Sequence, residues 1–79
     1  MANEELKNFI EDLALIIEEK YNQSLEAIRQ GNSEGDIAFQ QGANFAYYDA
    51  LTLIRLQLIA FGYEPEDYNF KVPELGEGL

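Results

Sequence analysis

Residues 45–61 have the sequence FAYYDALTLIRLQLIAF, in which thirteen of seventeen side chains are apolar. The four polar residues are Asp49, Thr52, Arg55 and Gln57, and they do not share one face when successive residues are placed about 100° apart on a helix. A helix that is apolar nearly all round is normally buried. Because one neighbouring helix covers only a single stripe, this stretch predicts a helix that packs against more than one surface.

The same helix is expected to begin after Ser33 and to stop before Gly62. Ser33 can accept a hydrogen bond from the first turn, and Asp36 three residues later completes a weak capping box. These signals predict a helix over about 34–61. Its best stripe recurs at steps of three and four residues and is apolar throughout its second half. The members of this stripe are Ile37, Gln40, Asn44, Tyr47, Leu51, Ile54, Leu58 and Phe61.

A second helical pattern precedes it, over about 3–30. Asn3 is a plausible cap, and Glu4 and Glu5 lie where the helix dipole favours anions. Arg29 lies in the last turn, and Gly31 suits a left-handed conformation beyond it. The apolar stripe of this helix also follows steps of three and four residues. It contains Leu6, Ile10, Leu13, Ile17, Tyr21, Leu25 and Ile28.

The segment GNSEG at residues 31–35 has the composition of a turn. Two helices of similar length joined by a short turn form an antiparallel helical hairpin. The sequence therefore predicts an all-α domain, with the hairpin over residues 1–62 and an irregular tail over 63–79.

The predicted tail is both acidic and aromatic. Prolines and glycines interrupt it, which disfavours regular structure, and Lys71 is its one basic residue. Two alternatives follow: the tail is disordered, or it folds back onto the hairpin. Its apolar residues are too numerous for a purely solvating segment, which favours folding back. They are Tyr63, Tyr68, Phe70, Val72, Leu75 and Leu79.

The composition excludes several classes of function. Fifteen acidic residues against five basic ones give a net charge of −10, which argues against binding to nucleic acid or to an anionic membrane. The absence of Cys and His removes the usual zinc and iron ligands and the common nucleophile–imidazole pairs. We therefore expect no enzymatic activity, no cofactor and no metal. The acidic N-terminal sequence lacks a signal-peptide pattern, so the expected location is the cytoplasm.

The apolar surplus of the second helix predicts a homodimer, in which two hairpins form a four-helix bundle. Small residues in this helix would let a second backbone approach closely. Two alternatives remain open: the tail covers the surplus within a monomer, or a different protein does. The residues predicted at the dimer interface are Gly42, Ala43, Ala46, Tyr47, Leu51, Ile54 and Leu58.

A ridge of acids also repeats every seven residues along the first helix, opposite its apolar stripe. It is either a solvated outer face or a docking surface. The leading hypothesis is a small protein-interaction module, such as a regulator, inhibitor or adaptor, that acts as a dimer on an unidentified protein. The alternative is an acidic mimic of nucleic acid that blocks a DNA- or RNA-binding protein. The candidate partner-binding residues are Tyr63, Tyr68 and Phe70 in the tail and Glu11, Asp12, Glu18 and Glu19 on the ridge.

Overall fold

The computed structural model describes residues 4–70 and 72. Within these residues helix α1 spans Glu4–Arg29, helix α2 spans Glu34–Ala60, and a 3₁₀ helix spans Pro65–Tyr68, with no strand. The prediction of an all-helical chain with two long helices is confirmed. The predicted cap at Asn3 and residues 71 and 73–79 of the predicted tail lie outside the described residues.

The two helices pack side by side in opposite directions. Ala14 of α1 and Leu51 of α2 share the buried core, whereas Asn44 bonds to Tyr21 nearer the turn. The molecule is elongated, with extents of 48 × 20 × 15 Å. The buried core cluster contains Ala14, Leu51, Leu58, Tyr68 and Phe70, with Ile10, Ile17, Ile54, Tyr63 and Val72 packed against it.

A buried polar bridge joins the helices near the turn. The Ser24 hydroxyl donates to the Tyr21 carbonyl at 2.7 Å, and the Asn44 side-chain amide donates to the Ser24 Oγ at 2.9 Å and to the Tyr21 carbonyl at 3.2 Å. Ser24 and Asn44 are both buried. A buried polar group is costly without a partner, so a shift of one helix along the other would break these bonds. The bridge therefore favours one register of the hairpin.

Of the two features predicted for the turn between the helices, the Ser33 cap is present and the left-handed Gly31 is not. The backbone N–H of Asp36 donates to the Ser33 Oγ at 3.1 Å, which confirms the predicted cap of α2. The left-handed conformation predicted for Gly31 is wrong, since Gly62 is the glycine with positive φ among the described residues. Gly31 is required for a different reason. A Cβ atom there would lie 2.5 Å from the Ile37 Cγ1, so a side chain would clash with the first turn of α2.

Helix α2 ends in a Schellman motif centred on Gly62, whose φ is 86°. The N–H of Gly62 donates to the Ile59 carbonyl at 3.0 Å, and the N–H of Tyr63 donates to the Leu58 carbonyl at 2.9 Å. Tyr63 also packs against the core that contains Leu58, which is the apolar contact that accompanies this motif. The motif reverses the chain and sends the tail back towards the hairpin.

The described part of the tail is folded back onto the hairpin, which is the alternative that its apolar residues favoured. Tyr68 and Phe70 are buried in the core, and the rings of Tyr63 and Tyr68 meet edge to face with centroids 6.0 Å apart. Asn69 adopts the left-handed conformation with φ 54°, which turns the chain after the 3₁₀ helix. Such a conformation is tolerated best by Gly, Asn and Asp. The tail thus completes a core that the two helices leave open at one end.

Substitution by alanine is expected to change the unfolding free energy in opposite directions at Gly42, within α2, and at Gly62, just after it. The Gly62→Ala variant should lose about 1–2 kcal/mol of unfolding free energy, because an L residue is strained at positive φ. The Gly42→Ala variant should gain about 0.5–1 kcal/mol, because Gly42 is within the helix and a Cβ atom there meets nothing within 4 Å. Urea denaturation of both variants at equal protein concentration measures the two shifts. Shifts of the same sign would contradict the described conformations.

Candidate interaction surface

The described residues expose more large apolar side chains than they bury. The chain has 5590 Å² of accessible surface, whereas a compact monomer of its mass exposes about 4900 Å². Scattered exposed apolar residues are normal, but a contiguous set marks an interaction surface. The exposed set is Leu6, Phe9, Leu15, Ile16, Phe39, Phe45, Leu53, Leu56, Ile59 and Phe61.

Most of this set falls on one side of the hairpin, which we call the open face. Each helix carries a second line of residues at steps of three and four, beside the line that packs against the other helix. These second lines of α1 and α2 lie on the same side of the hairpin, as shown by two hollows that are each lined by residues of both helices. On α1 the open face comprises Leu6, Phe9, Leu13, Ile16, Lys20, Gln23 and Ala27, and on α2 it comprises Phe39, Ala43, Ala46, Ala50, Leu53, Gln57 and Phe61.

The open face is most apolar near the ends of the helices that are remote from the turn. A hollow of about 370 Å³ lies there between α1 and α2. No charged residue lines it in the part of the chain that the structure describes. Its lining consists of Phe9, Ile10, Leu13, Leu53, Ile54, Gln57, Leu58, Phe61 and Tyr63. A dry concave surface of this kind binds apolar side chains by removing them from water.

Near the turn, the open face carries smaller side chains. A second hollow of about 340 Å³ lies above the polar bridge and is lined partly by alanines. Lys20 and Gln23 supply polar groups at its α1 edge. Its lining consists of Lys20, Gln23, Ser24, Ala27, Phe39, Gln40, Ala43 and Tyr47. The two ends of the open face therefore differ in bulk.

The described part of the tail covers the opposite side of the hairpin, apart from Tyr63, which lines the apolar hollow. After leaving the Schellman motif at Tyr63, the chain crosses to α1, where Asn69 lines a groove with Leu15. That groove of about 500 Å³ is acidic, and its lining is Asn8, Glu11, Asp12, Leu15, Glu18 and Asn69. In the described residues the tail therefore covers the other flank and leaves the open face uncovered.

The residues predicted at a dimer interface are divided between the core and the open face. Leu51 has no exposed surface and Leu58 is also buried, because both pack within the hairpin and against the tail. Ile54 is half-buried against the same core, and the half-buried Tyr47 lines the hollow near the turn. Ala43 and Ala46 lie on the open face, and Gly42 is exposed on the outer side of α2. The apolar surplus itself is present, but other residues carry most of it.

The candidate aromatic residues of the tail are mostly inaccessible. Tyr68 and Phe70 are buried and Tyr63 is half-buried, so the first two stabilise the fold and offer little to a partner. Phe45 is a more exposed aromatic residue, with its ring centroid 6.3 Å from that of Tyr48.

The candidate acids lie where the heptad repeat places them, away from the core. Asp12 and Glu19 are exposed, and Glu11 and Glu18 are half-buried beside the tail. Lys7 is 3.9 Å from Glu11, a spacing of four residues along the helix. Pairs of this kind contribute only a few tenths of a kcal/mol. Three of the four acids, Glu11, Asp12 and Glu18, line the acidic groove.

Comparisons with protein-family models, with curated proteins and with solved structures found no match. Neither helix, over the residues described, has a stretch long and apolar enough to cross a membrane. Within the same residues, no three acidic side chains lie in a group that could hold a metal ion. The candidate site therefore rests on the geometry of the open face.

The residues predicted at the dimer interface did not include Phe9, Leu53 and Phe61. Phe61 was assigned to the stripe facing α1, yet it is 72% exposed because it caps the helix and turns away from that contact. The available signal was the second line of apolar residues at helical spacing on α1, which runs through Phe9 and Ile16. A helix with two such lines has two packing partners.

Proposed function

We propose that this chain is a small, non-enzymatic protein-interaction module, in the class of regulators, inhibitors and adaptors, that acts as a homodimer. The observation that carries the proposal is the open face, on which Phe9, Leu53 and Phe61 are exposed around a hollow whose described lining residues are uncharged. Two copies that cover this face with each other form a four-helix bundle.

The dimensions of the molecule support a stable dimer. The broad side of the hairpin measures 48 × 20 Å, and a standard protein interface buries about 800 Å² on each partner. A side of this size can therefore supply the required area. Burial of the open face in a dimer would also add to the low stability of the single chain, since a domain of this length buries only about 60–65% of its unfolded surface when alone.

The dimer leaves a different surface for an outside protein. The outer flank of α2 keeps Phe45, Leu56 and Ile59 exposed, and the acidic groove lies on the same side as the docked tail. Apolar groups with acidic neighbours fit a partner that is apolar at its centre and basic at its rim. The module is thus proposed to bind such a protein without changing it chemically.

Co-purification of two differently tagged copies of the chain tests the dimeric module. When both are produced in one cell, purification through the first tag should recover the second copy. Recovery should persist at high salt, because the open face is mainly apolar and is little affected by screening. Recovery of the first tag alone would contradict the proposal.

The acidic mimic of nucleic acid is the second candidate function. The observation in its favour is the acidic groove, in which Glu11, Asp12 and Glu18 lie together and no basic residue among those described contributes to the lining. A basic nucleic-acid-binding protein would be held there by charge, so binding should fall steeply as ionic strength rises. An apolar contact would be nearly independent of salt.

Replacement of Glu11, Asp12, Glu18 and Glu19 by Gln separates the two functions. The variant should melt at about the same temperature as the parent or slightly higher, because like charges are removed from an outer face and the Lys7–Glu11 pair that is lost is weak. The dimer should persist. Binding of a partner should weaken mainly through a slower association rate. Complete loss of binding with an intact fold would instead favour the nucleic-acid mimic.

A further inference from the structure

The open face has unequal ends, and this asymmetry bears on how two copies pack. Remote from the turn it carries the bulky side chains Phe9, Leu13, Leu53 and Phe61 around a hollow. In the half of the open face nearer the turn the residues are mainly small or polar, with Phe39 at the very end. These positions are Lys20, Gln23, Ala27, Ala43 and Ala46.

We propose that the second copy lies on the open face with its turn at the opposite end of the bundle. The inference rests on the proposed dimer and specifies its geometry. A two-fold axis would cross the face at half its length, near Ile16 and Ala50. Each helix would then pack antiparallel to its own copy, which is one of the arrangements that two-fold symmetry allows.

Along α2 this arrangement places Leu53 against a small residue and brings the phenylalanines at the two ends of the open face together. Along α2, Phe61 and Phe39 are each eleven residues from Ala50, so they would meet across the axis. Leu53 of one copy would lie against Ala46 of the other, because the two residues are three and four positions from Ala50. Leu53 of one copy would thus fill the space beside Ala46 of the other, as close packing demands.

The charge distribution agrees with the same arrangement. Lys20 is the charged member of the open face, and on α1 it would lie opposite Leu13 of the second copy. Asp12 adjoins Leu13 and is exposed, so the Lys20 ammonium could extend to that carboxylate at the edge of the bundle. The alternative, with both turns at the same end, would crowd Phe9 and Phe61 of both copies together. It would leave the small and polar residues of the open face together at the other end, where α2 of one copy would face α1 of the other.

A spin-label distance measurement on the full chain distinguishes the two arrangements. The sequence has no Cys, so the exposed turn residue can be labelled uniquely through an Asn32→Cys substitution. The expected distance between the two labels is about 45 Å, because the turns would be separated by the length of the hairpin. A distance below about 20 Å, roughly two helix diameters, would place both turns at one end and overturn the inference while leaving the dimer intact.

An Ala50→Cys variant provides an independent readout. Ala50 would lie beside its own copy at the axis, so oxidation should convert most of the chain to a disulfide-linked dimer. A Phe61→Cys variant is the matched control and should not cross-link, because its copy would lie at the opposite end. Cross-linking of Phe61→Cys but not of Ala50→Cys would overturn the arrangement. A monomeric mass for the unlabelled chain would overturn the proposed function itself, and the inference with it.

Discussion

The Tyr68→Ala variant is expected to lose about 3–5 kcal/mol of unfolding free energy, the range found when a buried aromatic residue is truncated. Tyr68 is buried in the core cluster with Leu51 and Leu58, and its ring also meets that of Tyr63. A small domain has an unfolding free energy near the lower end of about 5–15 kcal/mol, so most of it would be lost. Thermal denaturation followed by circular dichroism at a fixed protein concentration measures the effect. The Tm should fall by at least about 12 °C.

The Tyr68→Phe variant is the matched control, since it keeps the ring and removes only the hydroxyl. Its Tm should stay within a few degrees of the parent value. If Tyr68→Ala melted like the parent, the tail would contribute nothing to the core and its docked position would be contradicted. The experiment therefore tests whether residues 63–70 are part of the folded domain.

The Leu53→Lys variant is expected to weaken dimerisation by roughly a thousandfold. Leu53 lines the apolar hollow and is 55% exposed in the single chain. Loss of a central apolar contact costs about 2 kcal/mol or more, and each dimer contains the site twice. About 4 kcal/mol corresponds to a thousandfold change in the dissociation constant. Sedimentation over a range of concentrations measures that constant.

The Leu15→Lys variant is a closely matched control on the other side of the hairpin. Leu15 is 53% exposed and lines the acidic groove, away from the open face. The same substitution at the same exposure should leave the dimer unchanged. Equal weakening by both variants would show that the added charge acts non-specifically, and an unaffected Leu53→Lys dimer would exclude the open face as the interface.

Much of the fold could be predicted from sequence because local signals agreed with periodicity. Ser33 and Gly62 marked the limits of α2, and both act as helix termini through hydrogen bonds that are local in sequence. Gly31 was assigned the wrong role, because its close contact with Ile37 depends on how the two helices cross. A contact between elements is not encoded in the spacing of either one.

The candidate site was harder to predict than the fold. The excess of apolar residues on α2 was visible in the sequence, but which of them face α1 depends on the rotation of α2 about its axis. Leu51 and Leu58, predicted at the dimer interface, are instead buried in the core of the hairpin and tail. The Ser24–Asn44 bridge was also not anticipated, since neither residue has a distinctive pattern alone. The tail aromatics were classed as partner contacts because their burial depends on the reversal at Gly62.

The mass of the unmodified protein in solution tests whether a second copy of the chain covers the open face. Sedimentation equilibrium at micromolar concentration should give twice the chain mass of 9.0 kDa. The open face would be occupied, and dilution should shift the mass towards that of the monomer by mass action. A stably folded species of 9.0 kDa at every concentration up to the millimolar range would contradict the account.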